Sequence, residues 1–189
     1  MKTHLWCLWS GTKINAKMQI SVHNKTLDLS TPQVMGILNV TPDSVYAGSR
    51  KQTEQEIAER TNQIILEGGK IIDVGAFSTG PGSADVSEEE ELLRMRNGLA
   101  IVRREQPDAL VSIDTFRPSV ARMAVEEFGA DIINDISEGR GYYNNTSNEN
   151  AKVDVDANEN EPSDILLEVA RLQVPYILMS LQADLENTV

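Results

Sequence analysis

The chain has 189 residues, with 29 Asp and Glu against 17 Lys and Arg and a formal charge of -12 at pH 7. This balance argues against a duplex-binding surface, because neutralising phosphates takes clustered Lys and Arg, and it favours a small molecule or a protein as partner. One cysteine, Cys7, leaves no internal disulfide framework and no cysteine-rich metal site, as suits a reducing cytoplasm, and the length suits one domain.

Residues 1–17 lack a clear period and read as an irregular leader. Their apolar stretch, "LWCLW", is too short for a secretory segment or a bilayer span, so a cytoplasmic protein with no membrane partner is expected. From Met18, "MQISVHNKTLDLS" alternates apolar and polar residues on both sides of His-Asn-Lys. That is the pattern of a β-hairpin, expected to plug one end of the core. The strand "VMGIL" follows, then the polar loop "NVTPDS", then a helix with Thr53 and Glu56 at capping-box spacing. Ile57, Ile64 and Ile65 share a face of that helix, and Gly68-Gly69 stop it.

The pattern repeats. "KIIDVGAFST" is an apolar strand entering a polar loop, and the next helix has Ser87 and Glu90 as a capping box and Leu92, Met95, Leu99 and Val102 as its buried stripe. "ALVSIDT" feeds the helix "RPSVARMAVEEFG", which has Pro118 in its first turn and Gly129 at its end. "ADIINDIS" is the fourth strand of the series, "DILLEVARLQ" a helix and "VPYILMS" a fifth strand. Between them, residues 139–162 are rich in Asn, Asp and Glu and are expected to be a disordered insertion. Asp154 and Asp156 alternate there, but the glycine and terminal glutamate of a calcium loop are missing.

Apolar strands alternating with helices imply a parallel sheet, helices packed outside it, and right-handed crossovers. The repeats fit either an open doubly wound sheet or the first part of a (β/α)8 barrel. No GxGxxG follows the first strand, which weakens a dinucleotide-binding reading.

The strands end alike: Asn39 after the first, Asp73 within and Ser78-Thr79 after the second, Asp114-Thr115 after the third, Asn134-Asp135 after the fourth. All fall at the end of the sheet where parallel α/β proteins bind ligands. Asp114 alone would serve as a helix cap and Asn134 alone as an Asx turn, but four consecutive repeats favour a site. Both histidines, His4 and His23, precede the repeats, which disfavours a Ser-His-Asp triad. Asp and Asn together suit a flat heterocycle that displays donors and acceptors. Asn39 beside a Thr-Pro-Asp turn offers a hard oxygen for Mg2+ and nearby backbone groups for phosphate.

"MGILNVTPDS", "IIDVGAFSTGPG" and "VSIDTFRPSVARMAVEEFGADIINDIS" together resemble dihydropteroate synthase of the folate pathway, with the match spanning about Met18 to Ser137 and extending to "VPYILMS". The pterin-binding module of corrinoid methyltransferases shares the barrel but has a different first loop. The resemblance implies a (β/α)8 barrel, here incomplete with about five strands. It also implies a reaction that joins 4-aminobenzoate to 6-hydroxymethyl-7,8-dihydropterin diphosphate with Mg2+ present. By the same resemblance Asn39 matches the Mg2+ and pyrophosphate ligand, Thr79 a diphosphate contact, and Asp114 and Asn134 the residues that hydrogen-bond the pterin ring. No residue is singled out as catalytic.

Two loops depart from the family. Gly80 stands where an arginine is usual, and the first loop runs Ser44-Val45-Tyr46-Ala47-Gly48 instead of Ser-Phe-Ser-Asp-Gly. The lost arginine contact is worth roughly 1.5 to 3 kcal/mol. The family's later strands bring a further Asp, a Lys and an Arg-x-His pair, together with the usual homodimer contact, and none of these is met before Val189. The expectation is therefore a barrel domain over 18–189, truncated after its fifth strand, with Tyr176 to Met179 as an exposed apolar edge and little or no activity alone. The alternative is a non-catalytic half-barrel that binds pterin or associates with a full-length synthase.

Overall fold

The computed structural model describes residues 18–22, 25–41, 54–77, 86–137, 139 and 162–178. The readings made above for the leader, Thr53, Met179, the first loop from 42 onward, the second loop with Thr79 and Gly80, and the interlude at 140–161 lie outside the described residues.

The alternating stretch at the start forms the expected hairpin. β1 (Gln19–Val22) and β2 (Lys25–Asp28) pair antiparallel, with Gln19 opposite Asp28 and Val22 opposite Lys25. The apolar runs form β3 (Met35–Asn39), β4 (Ile71–Gly75), β5 (Leu110–Asp114), β6 (Ile132–Asp135) and β7 (Tyr176–Leu178). These five strands make one parallel sheet in chain order. Between them run α1 (Glu54–Leu66), α2 (Glu88–Glu105), α3 (Pro118–Phe128) and α4 (Asp164–Leu172).

Strand order decides between the two architectures open from sequence. A doubly wound sheet reverses direction and carries helices on both faces. Here each strand adds on the same side as the last, and each helix packs against the next. Leu38, Ile72, Val74, Val111, Ile113 and Ile133 of the strands meet Ile64, Met95, Leu99, Val120 and Ile165 of the helices in one buried cluster. All four helices thus cover one face, and the other face turns inward as the wall of a partial (β/α)8 barrel.

Local chemistry sets the helix ends. Ser87 Oγ accepts from the Glu90 backbone N–H at 3.3 Å, as the capping-box spacing predicted. Pro118 opens α3, and Gly129 closes it in the left-handed region at φ 61. Gly98 serves close approach: a Cβ there would lie 2.7 Å from Val40 Cγ1, so a bare backbone lets α2 pack over the residue after Asn39.

The hairpin plugs the end of the core at the strand starts. Leu27 packs with Ile71 and Ile132, and Met35 and Leu110 lean on the same cluster. Lys25 Nζ fastens the hairpin by donating to the Asp108 carbonyl at 2.9 Å. At the sides of the sheet Ile37 on β3 and Leu178 on β7 are 51% and 56% exposed, so the apolar edge expected on the last strand is present.

Gly98→Val should lower the urea midpoint, at a cost of roughly 1 to 3 kcal/mol for overpacking. An unchanged midpoint would show that α2 stands off Val40 freely.

Candidate functional site

Parallel pairing sorts the inward residues into levels. Met35, Ile71 and Leu110 form the level sealed by the hairpin. Above it Ile37, Asp73, Ser112 and Ile132 are in register, and above those Asn39, Gly75, Asp114 and Asn134. Alternation along each strand keeps these side chains on the face away from the helices.

The upper level is built around a glycine. A Cβ on Gly75 would lie 3.4 Å from Asn39 Oδ1 and 3.4 Å from Asp114 Oδ2, so the two neighbours lean together over its backbone. From β6, Asn134 Nδ2 donates to Asp73 Oδ2 at 3.1 Å and joins the two levels. Asn39 is exposed, Asp114 half-buried, and Asn134 and Asp73 buried. The three described residues predicted for the site, Asn39, Asp114 and Asn134, therefore share one level of one wall. Thr79 lies outside the described residues.

Both local alternatives from the sequence fail. The N-cap of α3 is Arg117, without a side-chain cap bond, so Asp114 is no cap. Asn134 bonds Asp73 across two strands instead of closing a turn. It is Asp135 that closes the turn, accepting from Ser137 N at 2.6 Å and Ser137 Oγ at 3.0 Å, with the Tyr176 hydroxyl as a further donor. Sequence reasoning counted Asp73 among the polar strand ends but gave it no role, and it passed over Ser112. A carboxylate inside the apolar run "KIIDVG" was the signal for Asp73, since such a group is rarely buried without a purpose.

The wall is electrostatically loaded. Burial pushes the Asp114 carboxyl up to about 7, and the charges of Asp73, Glu91 and Asp135 add to the effect. Burial also raises Asp73, although the nearby Ser112 hydroxyl and the Asn134 amide pull it back. Asp73 Oδ1 and Ser112 Oγ are buried and complete no hydrogen bond of normal geometry, so the Ser112 hydroxyl acts on Asp73 as a neighbouring dipole and not as a made bond. Groups of this kind call for a missing partner, and a polar molecule held in the arc would supply one. Among the described residues no three His, Cys, Asp or Glu converge to hold a metal ion, and no helix is long and apolar enough to cross a membrane.

The family model for pterin-binding enzymes matches residues 35–188. Dihydropteroate synthase of Escherichia coli K12 is 43% identical over 119 residues, covering 63% of this chain and 42% of its own length. That of Streptococcus pyogenes is 44% identical over 106 residues, covering 56% and 39%. Among solved structures, Xanthomonas albilineans dihydropteroate synthase with 4-aminobenzoic acid superposes with a TM-score of 0.66 at 31% identity, over 89% of this chain and 54% of that one. The chain thus spans about two fifths of the length of these curated relatives.

A raised Asp114 has a defined effect on stability. The carboxyl is neutral in both states well below pH 4, and from there up to pH 7 it is chiefly the unfolded chain, with its carboxyl near 3.8, that gives up the proton. Folding is thereby disfavoured progressively up to pH 7 and by a constant amount above it. Asp114→Asn should gain stability over the unsubstituted chain as pH rises from 4 to 7 and then level off, by a few kcal/mol at about 1.4 per pKa unit. Urea unfolding of both chains at each pH checks this, and a difference independent of pH would refute it.

Proposed function

The chain belongs to the pterin-binding enzyme family, and from that premise we propose that it serves dihydropteroate synthesis, its inner wall holding 6-hydroxymethyl-7,8-dihydropterin diphosphate for attack by 4-aminobenzoate. One observation carries the reading: Asn39, Asp114 and Asn134 lie at one level of the wall, with Asp73 directly beneath.

A pterin presents a row of ring N–H and amino donors along one edge. Asp114 accepts from that row as a carboxylate, and Asn134, its Nδ2 committed to Asp73, accepts through Oδ1. Asp73 Oδ1, buried and unpartnered, offers one more acceptor below. As the bond between the pterin methylene carbon and the diphosphate oxygen breaks, positive charge spreads into the ring, where the anionic Asp114 stabilises it. The arylamine nitrogen then bonds to that carbon and loses its proton, and pyrophosphate departs.

The donor set suits a magnesium ion that arrives with the substrate. Mg2+ keeps several waters and takes one or two protein oxygens plus phosphate oxygens, and the exposed Asn39 Oδ1 at the wall's rim is such an oxygen. When bound, the ion would offset charge on the leaving diphosphate. Thr79 is proposed as a further diphosphate contact.

The domain division belongs to the same proposal: a leader over 1–17, then one barrel unit over 18–189 with an insertion at 139–162. A hydrogen bond from Ser163 Oγ to the Gly139 carbonyl at the insertion's base supports it. A cytoplasmic location belongs to the same proposal, as the charge and the single cysteine suit. Among the described residues the outer strands β3 and β7 pair on one side only, with Ile37 and Ile177 exposed, which supports little turnover by this wall on its own. The same openness favours a second reading, association of this half-barrel with a full-length synthase.

Calorimetric titration with 6-hydroxymethylpterin should give micromolar binding that Asp114→Ala weakens at least about tenfold, the loss of a charged hydrogen bond. Asn39→Ala should leave pterin binding within about twofold yet abolish the gain on adding pyrophosphate with Mg2+. Equal affinities across all three chains would refute the assignment.

A further inference from the structure

Behind the pterin wall, at the same end of the sheet, lies a buried ion pair that the proposed reaction does not use. Glu91, in the first turn of α2, is fully buried, and Arg117, just before α3, is 8% exposed. Arg117 Nη1 donates to Glu91 Oε2 at 2.6 Å, and Nη2 donates to the Val86 carbonyl at 2.7 Å. The guanidinium stands 5.6 Å from the ring centre of Phe77 and 5.5 Å from that of Phe116. The two rings meet edge to face at 5.3 Å. Thr115 completes the cluster: its hydroxyl donates to Glu91 Oε1 at 2.9 Å and accepts from the Arg117 backbone N–H at 3.2 Å.

The topology of these contacts is the informative part. Phe77 is the last described residue after β4, and Val86 is where the described chain resumes, so one guanidinium fixes both ends of the eight intervening residues. Through the Phe116 ring, and through Glu91, which accepts from both the guanidinium and the Thr115 hydroxyl, the same group holds the residues that directly follow Asp114. Stability alone gives no reason for charge here, since a buried pair replaced by well-packed apolar side chains is often as stable or more so. A planar fork that reaches a carboxylate, a carbonyl and two rings at once does what an apolar side chain cannot, because it sets three segments at fixed angles to one another.

We propose that Arg117, held by Glu91, is a positioning residue that fixes Phe77 and Val86 against the strand end bearing Asp114, so that the Asp114 carboxylate keeps its place against the ring edge of a bound pterin. The inference rests on the reading of this wall as a pterin site.

Breaking the pair with one substitution would leave a buried charge and endanger the fold, so the informative chain is Glu91→Leu with Arg117→Met. It should keep the urea midpoint of the unsubstituted chain. Hydrogen exchange at Phe77, Val86 and Thr115 should rise at least about tenfold, with β4 and α3 unchanged. Affinity for 6-hydroxymethylpterin in the presence of pyrophosphate and Mg2+ should fall at least about fivefold. Arg117→Lys, which keeps the charge without the fork, should restore little of that affinity. Unchanged exchange at the three positions, or full affinity in the double variant, would overturn the inference. An unsubstituted chain that takes up no pterin would instead overturn the functional reading on which it rests.

Discussion

Everything at the candidate site depends on parallel register. Hydrogen bonding between β3, β4, β5 and β6 places Asn39, Gly75, Asp114 and Asn134 side by side, although they are scattered over nearly a hundred residues of chain. A slip of one residue in any strand would send its polar side chain into the helix layer and bring an Ile or Val to the wall. What holds the register is the opposite face, where Leu38, Ile72, Val74, Val111, Ile113 and Ile133 are completely or almost completely buried against the helices. The apolar layer thus stabilises a wall that is itself costly, because it takes carboxylates such as Asp73 out of water.

Buried carboxylates fall into two kinds, and the difference bears on the site. Away from the wall they are paired, although the hydroxyls of Thr61 and Ser119 and one nitrogen of Arg94 are buried there without a hydrogen-bond partner. Asp131 accepts from the Val111 backbone N–H at 2.9 Å and pairs with Arg103, which also binds the Phe128 and Gly129 carbonyls. Glu168 is gripped by Arg122 and Arg171, whose hydrogen bonds hold its carboxyl down near 2. These pairs tie α2 to α3 and α3 to α4, and nothing in them is left over for a ligand. On the wall the balance reverses: Asp73 Oδ1 and Ser112 Oγ lack partners, and burial raises the carboxyls of Asp73 and Asp114; burial raises Glu91 as well, but there Arg117 and Thr115 answer it. Structural charges are lowered in energy by their partners, whereas the wall's groups are held ready for one that comes from outside.

Much of this was legible in the sequence. The order of elements, the hairpin and its plugging role, the Ser87 cap, the Gly129 stop and the polar strand ends all follow from local pattern, and local pattern survives packing. What sequence could not show is which way a side chain faces. Asn134 and Asp135 read as one polar end, yet alternation sends the first to the wall and the second to a turn with Ser137. Glu91 was hidden in a run of four glutamates, and only its helical phase with Met95, Gly98 and Val102, all buried, distinguishes it from its exposed neighbours. Its partner Arg117 gave no signal, since the pair is separated by 26 residues and joined only through the tertiary fold.

The central claim is that the carboxylate of Asp114 recognises a pterin edge, and proton counting tests it most directly. With the free carboxyl near 7, binding that demands the anion must expel about half a proton at pH 7 and almost none a unit and a half higher. Calorimetric titration with 6-hydroxymethylpterin in buffers of different ionisation enthalpy measures that number, and Asp114→Asn shows how much of it belongs to this one group. Proton release near pH 7 that disappears in Asp114→Asn is the result the account predicts. Pterin binding with the same proton count in both chains would contradict it.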